Sequence, residues 1–226
     1  LVLSSRGVVQ SMNWVRDNAD DPEIQVDAEK AKKAFVGREL KGKRIGVIGL
    51  GNVGSKVANA CVDLGMDVYG YDPFISVEHA WVLSREVQRV GTLEDLCRGC
   101  DYLTVHVPSK ADTIGMISTE QINLLAPDAV LINTARGTII DEAALYEHMK
   151  NGGLKYACID VFDPEPPAKD NPLLTLDNVI VTPHLAGLAR NGLKRIGTFV
   201  CEELTHFLNG ETVRGEVTRE MLARMA

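Results

Sequence analysis

Basic residues are not in surplus. The chain has 24 Lys and Arg against 31 Asp and Glu, a formal net charge of −7 with a pI near 5.3. Nucleic acid and anionic membrane surfaces call for the opposite sign, so neither is expected as a partner. No apolar run is long enough to span a bilayer and no secretory leader pattern is visible, so no membrane anchor is expected. Cysteine is sparse: five residues, an odd number and scattered, which offers no disulfide framework and makes a reducing, cytoplasmic location the plain expectation. No set of His, Cys, Asp and Glu falls at metal-ligand spacing, and no metal is expected. Internal repeats, low-complexity tracts and a linker between two full domains are also missing. What is plentiful is apolar content, 45% of 226 residues, ample for a core.

The chain is organised around residues 44–72. Arg44-Ile45-Gly46-Val47-Ile48 is an apolar run of strand length. It leads straight into Gly49-Leu50-Gly51-Asn52-Val53-Gly54, a G-x-G-x-x-G turn. A helical segment follows, with Val57, Ala58, Cys61 and Leu64 apolar, and closes at Gly65. Met66 to Tyr71 form a second strand with Asp72 at its end. Gly49 permits the tight turn, Gly51 leaves room for a pyrophosphate against the backbone, and Gly54 lets the helix pack on the sheet. The helix start, with Asn52 and Val53, offers free N–H groups and the positive dipole end. Asp72 lies 18 residues past Gly54, where an acid accepts a bond from a ribose 2′-OH. A carboxylate there repels a 2′-phosphate. Pro73 follows and no Arg stands nearby to hold one, so NAD is favoured over NADP.

Helical spacing of Leu1, Val2, Val8, Val9, Met12 and Val15 predicts a helix over residues 1–17. Residues 18–27 read as loop and 28–36 as a short helix. Beyond Asp72, helices are expected over 76–84, from Thr92 to Leu96, over 118–125 with Ser118 or Thr119 as cap, over 141–150 with Asp141 as cap, and over 189–208. Strands are expected at 87–90, 102–106, 129–133, 155–160 and 178–181. Residues 163–172 hold four prolines and must be loop. Short apolar strands alternating with helices predict an α/β fold: a doubly wound parallel sheet, covered on both faces. Ligands of such sheets bind beyond the carboxyl ends of the strands, so the segments at 49–54, Asp72, 106–108, 133–137, 160–165 and 182–187 are expected to share one crevice. Cys97-Arg98-Gly99-Cys100 is a C-x-x-C, but it ends a helix rather than starting one and has no further ligands, so a structural role is expected.

Three strand ends carry a coherent chemistry. Arg136 can clamp a carboxylate with two parallel bonds. His184 suits general acid/base work at neutral pH. Glu165, beside such a His, would raise its pKa and fix its tautomer. Each residue taken alone has a plainer reading: a surface ion pair for Arg136, a core histidine for His184, a solvated loop acid for Glu165. Of the other histidines, His106 ends a strand in the expected crevice, while His79, His148 and His206 carry no signal.

These segments resemble the D-isomer-specific 2-hydroxyacid dehydrogenases. The glycine turn resembles the family's GLGxIG, Asn133-Thr134-Ala135-Arg136-Gly137 its N-x-x-R-G, Asp160-Val161-Phe162 with Glu165 and Pro166 its D-V-F-x-x-E-P, and Thr182-Pro183-His184 its T-P-H. The resemblance implies that Arg136, Glu165 and His184 are catalytic: Arg holds the substrate carboxylate, His moves the proton of the 2-oxygen, and Glu partners the His. It implies cofactor contacts from Gly49, Gly51, Asn52, Val53, Gly54, Asp72, Pro73, His106, Val107, Pro108, Thr113, Thr134, Ala135, Arg136, Asp160, His184 and Gly187. The cofactor implied is NAD, the substrate a small 2-hydroxy or 2-keto acid, and the assembly a homodimer.

The likeness runs from about Leu1 to Val217. Within the family, the stretches 31–35, 68–77 and 80–85 look like bacterial D-3-phosphoglycerate dehydrogenases, which would place the protein in serine biosynthesis. The part from Leu185 onward looks more like the general hydroxyacid dehydrogenases, which keeps a glyoxylate, hydroxypyruvate or other 2-ketoacid reductase open. The family's NAD-sensing corepressors keep the same three polar residues but show a Trp soon after the His, where this chain has Gly187-Leu188. By the same resemblance, residues 1–17 are an interdomain helix, 18–188 the NAD-binding domain and 189–226 a helix returning toward a substrate domain that this chain does not contain. The isolated chain is then expected to bind NAD without turnover.

Overall fold

The computed structural model describes residues 1–219; residues 220–226, the end of the expected C-terminal segment, lie outside the described residues. The chain divides into two compact units, Leu1–Thr182 and Pro183–Ala226.

The first unit is built on seven strands: β1 (Arg44–Ile48), β2 (Asp67–Tyr71), β3 (Gln88–Arg89), β4 (Tyr102–Val105), β5 (Val130–Asn133), β6 (Tyr156–Ile159) and β7 (Val179–Val181). They lie in the order β3-β2-β1-β4-β5-β6-β7, and every neighbouring pair is parallel. Parallel strands need crossovers, and these put helices on both faces. The strands therefore split their side chains between two cores. Ile45, Val47, Val68, Tyr102, Val130 and Ile132 pack on one face, with Ala58 and Cys61 of α4 (Gly54–Asp63). Ile48, Leu103, Val105, Leu131 and Ile159 pack on the other, with residues of α6 (Leu93–Cys97), α7 (Thr119–Ile122) and α8 (Glu142–Lys150). The period of two along each strand is what sorts them. Leu103 and Leu131 are fully buried, and burying such a side chain stabilises by about 1.5–3 kcal/mol.

Four of the helices, α5 (Val77–Val82) to α8, start at a side-chain cap. Thr92 Oγ1 accepts from Asp95 N at 3.1 Å, and Asp141 Oδ1 accepts from Ala144 N at 3.0 Å. Ser118 and Gln121 form a reciprocal capping box at α7. Ser76 Oγ caps α5 by accepting from His79 N at 3.2 Å. Each such cap is worth about 1 kcal/mol.

Three helix expectations are corrected. The expected helix over 1–17 is two, α1 (Val2–Ser5) and α2 (Val8–Asp17), broken at Gly7, whose φ is 56°. The break gives a through-space contact: Ser5 O accepts from Arg38 N at 2.8 Å, and Gly37 lies so close that a Cβ there would stand 2.3 Å from that oxygen. The helix expected to begin at Ala28 begins at Ile24, as α3 (Ile24–Ala31), followed by a 3-10 turn over Lys32–Phe35. Asp21 Oδ1 accepts from Glu23 N at 2.9 Å and opens that helix; Pro22 sits just ahead of the first turn, where a proline is tolerated. The helix expected over 118–125 stops at Ile122, because Leu124 and Leu125 bond three residues back and tighten the chain toward Pro127.

The second unit carries α9 (Arg190–Leu208) and the segment that follows it. Arg214 Nε and Gly215 N donate to Glu203 at 2.9 and 2.8 Å, which folds that segment back on the helix. Burial raises the Glu203 pKa, but these hydrogen bonds outweigh it and hold the carboxyl below its usual range.

Candidate active site at the strand ends

One rung of backbone pairing crosses the sheet at its carboxyl edge. Tyr71 is registered on Ile48, Ile48 on Val105, Val105 on Asn133, Asn133 on Ile159 and Ile159 on Val181. The next residues, Asp72, Gly49, His106, Thr134, Asp160 and Thr182, therefore leave the sheet side by side. The strand order reverses between β1 and β4, the place where such sheets open a crevice.

The glycine turn sits at that point. Gly49 has φ 82°, and a Cβ on it would stand 2.7 Å from His106 O. A Cβ on Gly54 would stand 1.8 Å from Gly49 O, so the helix start packs directly on the turn. A Cβ on Gly51 would meet nothing within 4 Å, which leaves open space over the backbone. Among the described residues, the N–H groups of Gly51, Asn52 and Val53 donate to no protein acceptor. Unspent donors at the start of a ten-residue helix, with room in front of them, fit a dinucleotide pyrophosphate. Asp72 accepts from Leu50 N through Oδ2 and from Phe74 N through Oδ1, both at 2.8 Å. A carboxylate keeps lone pairs beyond these two, so it can still take a ribose hydroxyl.

His79 is a contact the sequence reading missed. Its Nε2 lies 3.1 Å from Asn52 Oδ1 and its Nδ1 lies 3.0 Å from Ser76 Oγ, so α5 is tied to the glycine turn through it. The only signal was the three-residue spacing from the cap, Ser76. His106 lies beside the turn with Nε2 3.0 Å from Thr104 Oγ1, and burial depresses its pKa to about 4, so it is neutral at pH 7. The hydroxyl of Thr113 is spent within its own loop, donating to Pro108 O at 2.5 Å and accepting from Lys110 N at 2.8 Å. Pro108 and Val107 lie at the end of β4 in that same loop.

The Arg136 segment is shaped by Asn133. Its Nδ2 donates to Arg136 O at 2.8 Å and its Oδ1 accepts from Ala135 N at 3.0 Å. Arg136 itself is exposed. Gly137 is pressed on the next strand's exit: a Cβ there would stand 2.0 Å from the Phe162 carbonyl carbon and 2.6 Å from Asp163 N. The Arg136 and Glu165 segments thus run against each other. Asp160 is buried and accepts from Thr182 Oγ1 at 2.5 Å. His184 and Gly187 belong to the second unit. His184 has φ 52°, the one non-glycine positive φ among the described residues. Such a conformation costs an ordinary side chain about 1–2 kcal/mol and clusters at functional positions.

The C-x-x-C stands apart from this edge. Cys97 and Cys100 are buried, and Cys100 Sγ donates to Leu96 O at 2.7 Å. Burial pushes their thiols up to about 12 and about 11. Neither is poised for redox work. Among the described residues, no group of three His, Cys, Asp and Glu could hold a metal, and no helix is long and apolar enough to cross a membrane.

A seven-stranded parallel sheet with this turn at its switch point and an acid at the end of β2 is a Rossmann dinucleotide-binding domain. The family model "D-isomer specific 2-hydroxyacid dehydrogenase, NAD binding domain" matches residues 2–186, and the chain belongs to that family. D-3-phosphoglycerate dehydrogenase of Methanocaldococcus jannaschii is 46% identical over 186 residues, 82% of this chain and 35% of its own length. A glyoxylate reductase of Korarchaeum cryptofilum is 32% identical over 227 residues, covering 98% of this chain and 64% of its own length. Among solved structures, apo D-mandelate dehydrogenase of Rhodotorula graminis matches with a TM-score of 0.82 and 27% identity, over 96% of this chain and 64% of that one. The chain spans about a third of the length of the phosphoglycerate dehydrogenases it matches.

Proposed function

We propose that this chain is the cofactor domain of an NAD-dependent oxidoreductase acting at C2 of a D-2-hydroxyacid, with D-3-phosphoglycerate as its substrate. The observation that carries it is the single rung of strand ends, from which the glycine turn, the Arg136 segment and the Glu165 segment all depart. When bound, NAD supplies the hydride acceptor at C4 of its nicotinamide. The N–H groups of Gly51, Asn52 and Val53 hold its pyrophosphate, and Asp72 takes the ribose hydroxyl and selects against a 2′-phosphate. The Arg136 guanidinium holds the substrate carboxylate and so orients C2. During oxidation the His184 imidazole takes the hydroxyl proton, and Glu165 stabilises the imidazolium that results. Asp160, Thr134 and the chain at 106–108 orient the nicotinamide end.

The choice of 3-phosphoglycerate is supported by the phosphoglycerate dehydrogenase relatives at 38–46% identity. A 2-ketoacid reductase is the second reading, favoured by the glyoxylate reductase match, which covers 98% of the chain where the phosphoglycerate dehydrogenases cover 80–82%. We take α1 and α2, within residues 1–17, and the C-terminal segment that begins with α9 as the interdomain elements of the whole protein. Exposed Met12 and Val15 on α2 would serve a homodimer contact in a cytoplasmic enzyme.

The test is a panel of D-2-hydroxyacids, 3-phosphoglycerate and glycolate included, assayed with NAD⁺ on the complete protein and on its His184→Asn variant. Asn tolerates positive φ, so the variant keeps its fold and still binds NADH while kcat falls about 10²–10⁴-fold. Unchanged kcat in that variant removes His184 from the chemistry. Turnover of none of the panel removes the substrate class. The 226-residue chain by itself is expected to bind NADH without turning over.

A further inference from the structure

The Glu165 segment is a proline-rich loop with no strand or helix of its own between Phe162 and Pro172. Its two ends meet on one side chain. Glu142, the first residue of α8, accepts from Asp163 N through Oε1 at 2.8 Å and from Asn171 Nδ2 through Oε2 at 2.8 Å. Both carboxylate oxygens thus leave their own helix and close the loop at its first and last residues, with Glu165 inside the closure. The Asn171 amide cannot turn over freely, because its Oδ1 accepts from Leu173 N at 3.0 Å. Only the amide nitrogen is left to face Glu142. Below the loop, Gly137 packs on Phe162 and Asp163, so the start of the loop is also fixed to the Arg136 segment.

We propose that Glu142 is the positioning residue of this site: it holds the 163–171 loop, and with it Glu165, at a fixed place relative to the strand ends. The helix dipole favours an acid in the first turn, but that role asks for charge alone and would be met by a solvated carboxylate. Two directed bonds to loop residues eight positions apart ask for two acceptor oxygens. A Gln side chain has one acceptor and one donor, so Glu142→Gln keeps the shape and loses one of the two bonds, turning an N–H toward an N–H. The loss is reversible by exchange. In Glu142→Gln with Asn171→Asp, the Gln oxygen accepts from Asp163 N, the Gln nitrogen donates to the new carboxylate, and the second carboxylate oxygen still accepts from Leu173 N.

This inference rests on the reading of Glu165 as the partner of the acid/base histidine. A carboxylate held beside an imidazole favours the protonated ring; one set loose does so less. The experiment takes the complete protein as wild type, Glu142→Gln, Asn171→Asp, the double exchange and Glu165→Gln. It measures kcat and kcat/KM for oxidation against pH, together with amide hydrogen exchange over residues 163–171.

Each single variant, Glu142→Gln or Asn171→Asp, is expected to lower kcat about 10–100-fold, as displacement of a catalytic group does. The acidic limb of the profile moves to lower pH, toward that of Glu165→Gln, and exchange at 163–171 speeds up at least about tenfold, the factor for 1.4 kcal/mol of lost protection. The double exchange brings all three back. The hydrogen-exchange arm also runs on the 226-residue chain, independent of turnover. A lowered melting temperature with the acidic limb unmoved, while Glu165→Gln does move it, makes Glu142 a stability residue only and overturns the inference. If Glu165→Gln itself leaves the limb in place, the reading of Glu165 is what fails, and the inference goes with it. A double exchange no better than its parts overturns the paired geometry.

Discussion

Asp72 Oδ2 accepts the backbone N–H of Leu50 at 2.8 Å, so the acid that ends β2 also braces the glycine turn that follows β1. Asp72→Asn keeps one acceptor oxygen and loses the charge. Bonds to a charged acceptor are worth about 1.5–3 kcal/mol, so NADH affinity should fall about 10–100-fold. NADPH, relieved of repulsion, should lose less or gain. Fluorescence titration of both nucleotides checks the ratio; an unchanged NADH-to-NADPH preference sinks the assignment of Asp72.

Gly51 and Gly54 are three residues apart and should respond oppositely. A Cβ at Gly54 stands 1.8 Å from Gly49 O, backbone against backbone, where nothing can yield. Gly54→Ala should cost about 1–3 kcal/mol or more. A Cβ at Gly51 meets no protein atom within 4 Å, so Gly51→Ala should melt like wild type and yet lose NADH binding by obstructing the pyrophosphate. Thermal melts and NADH titrations of the two variants separate these outcomes. Normal NADH binding by Gly51→Ala would place the nucleotide elsewhere.

His106 sets an acid limit on stability. Folded, it stays neutral down to about pH 4 because burial disfavours its cation. Unfolded, it takes a proton near pH 6.5. Between those values the unfolded chain binds more protons, so stability rises with pH there and falls as pH drops from about 6.5 toward 4, by up to about 3 kcal/mol. His106→Asn should flatten the pH dependence of the urea midpoint over that window. A variant with the wild-type slope would assign the acid loss to other groups.

The buried C-x-x-C should be chemically silent. With thiols at about 12 and about 11, Cys97 and Cys100 hold almost no thiolate at pH 8. In the native chain a disulfide reagent should titrate exposed Cys201 first and reach Cys97 and Cys100 only on unfolding. Rapid modification of either in the folded protein, located by peptide mapping, contradicts this.

Much of the fold was legible because its signals are local. The run from Arg44 to Asp72 states its strand, turn, helix and acid in consecutive residues, and the caps at Thr92, Ser118 and Asp141 stand next to the helices they start. The misses were contacts between distant segments. Apolar spacing ran through Gly7 as one helix, since nothing near residue 7 announces that Arg38 N will claim Ser5 O. His79 offered only its three-residue spacing from Ser76 until α5 brought it to Asn52.

The sequence by itself determined the periodicities, the glycine positions and the residue types that can hold a pyrophosphate, a carboxylate and a proton, because a missing Cβ or a side-chain pKa belongs to the residue wherever it sits. Tertiary structure alone decided that Tyr71, Ile48, Val105, Asn133, Ile159 and Val181 share one rung, and that Glu142 reaches both ends of the Glu165 loop. Register and reach are properties of hydrogen bonds between segments far apart in the chain, and only the packed sheet fixes them.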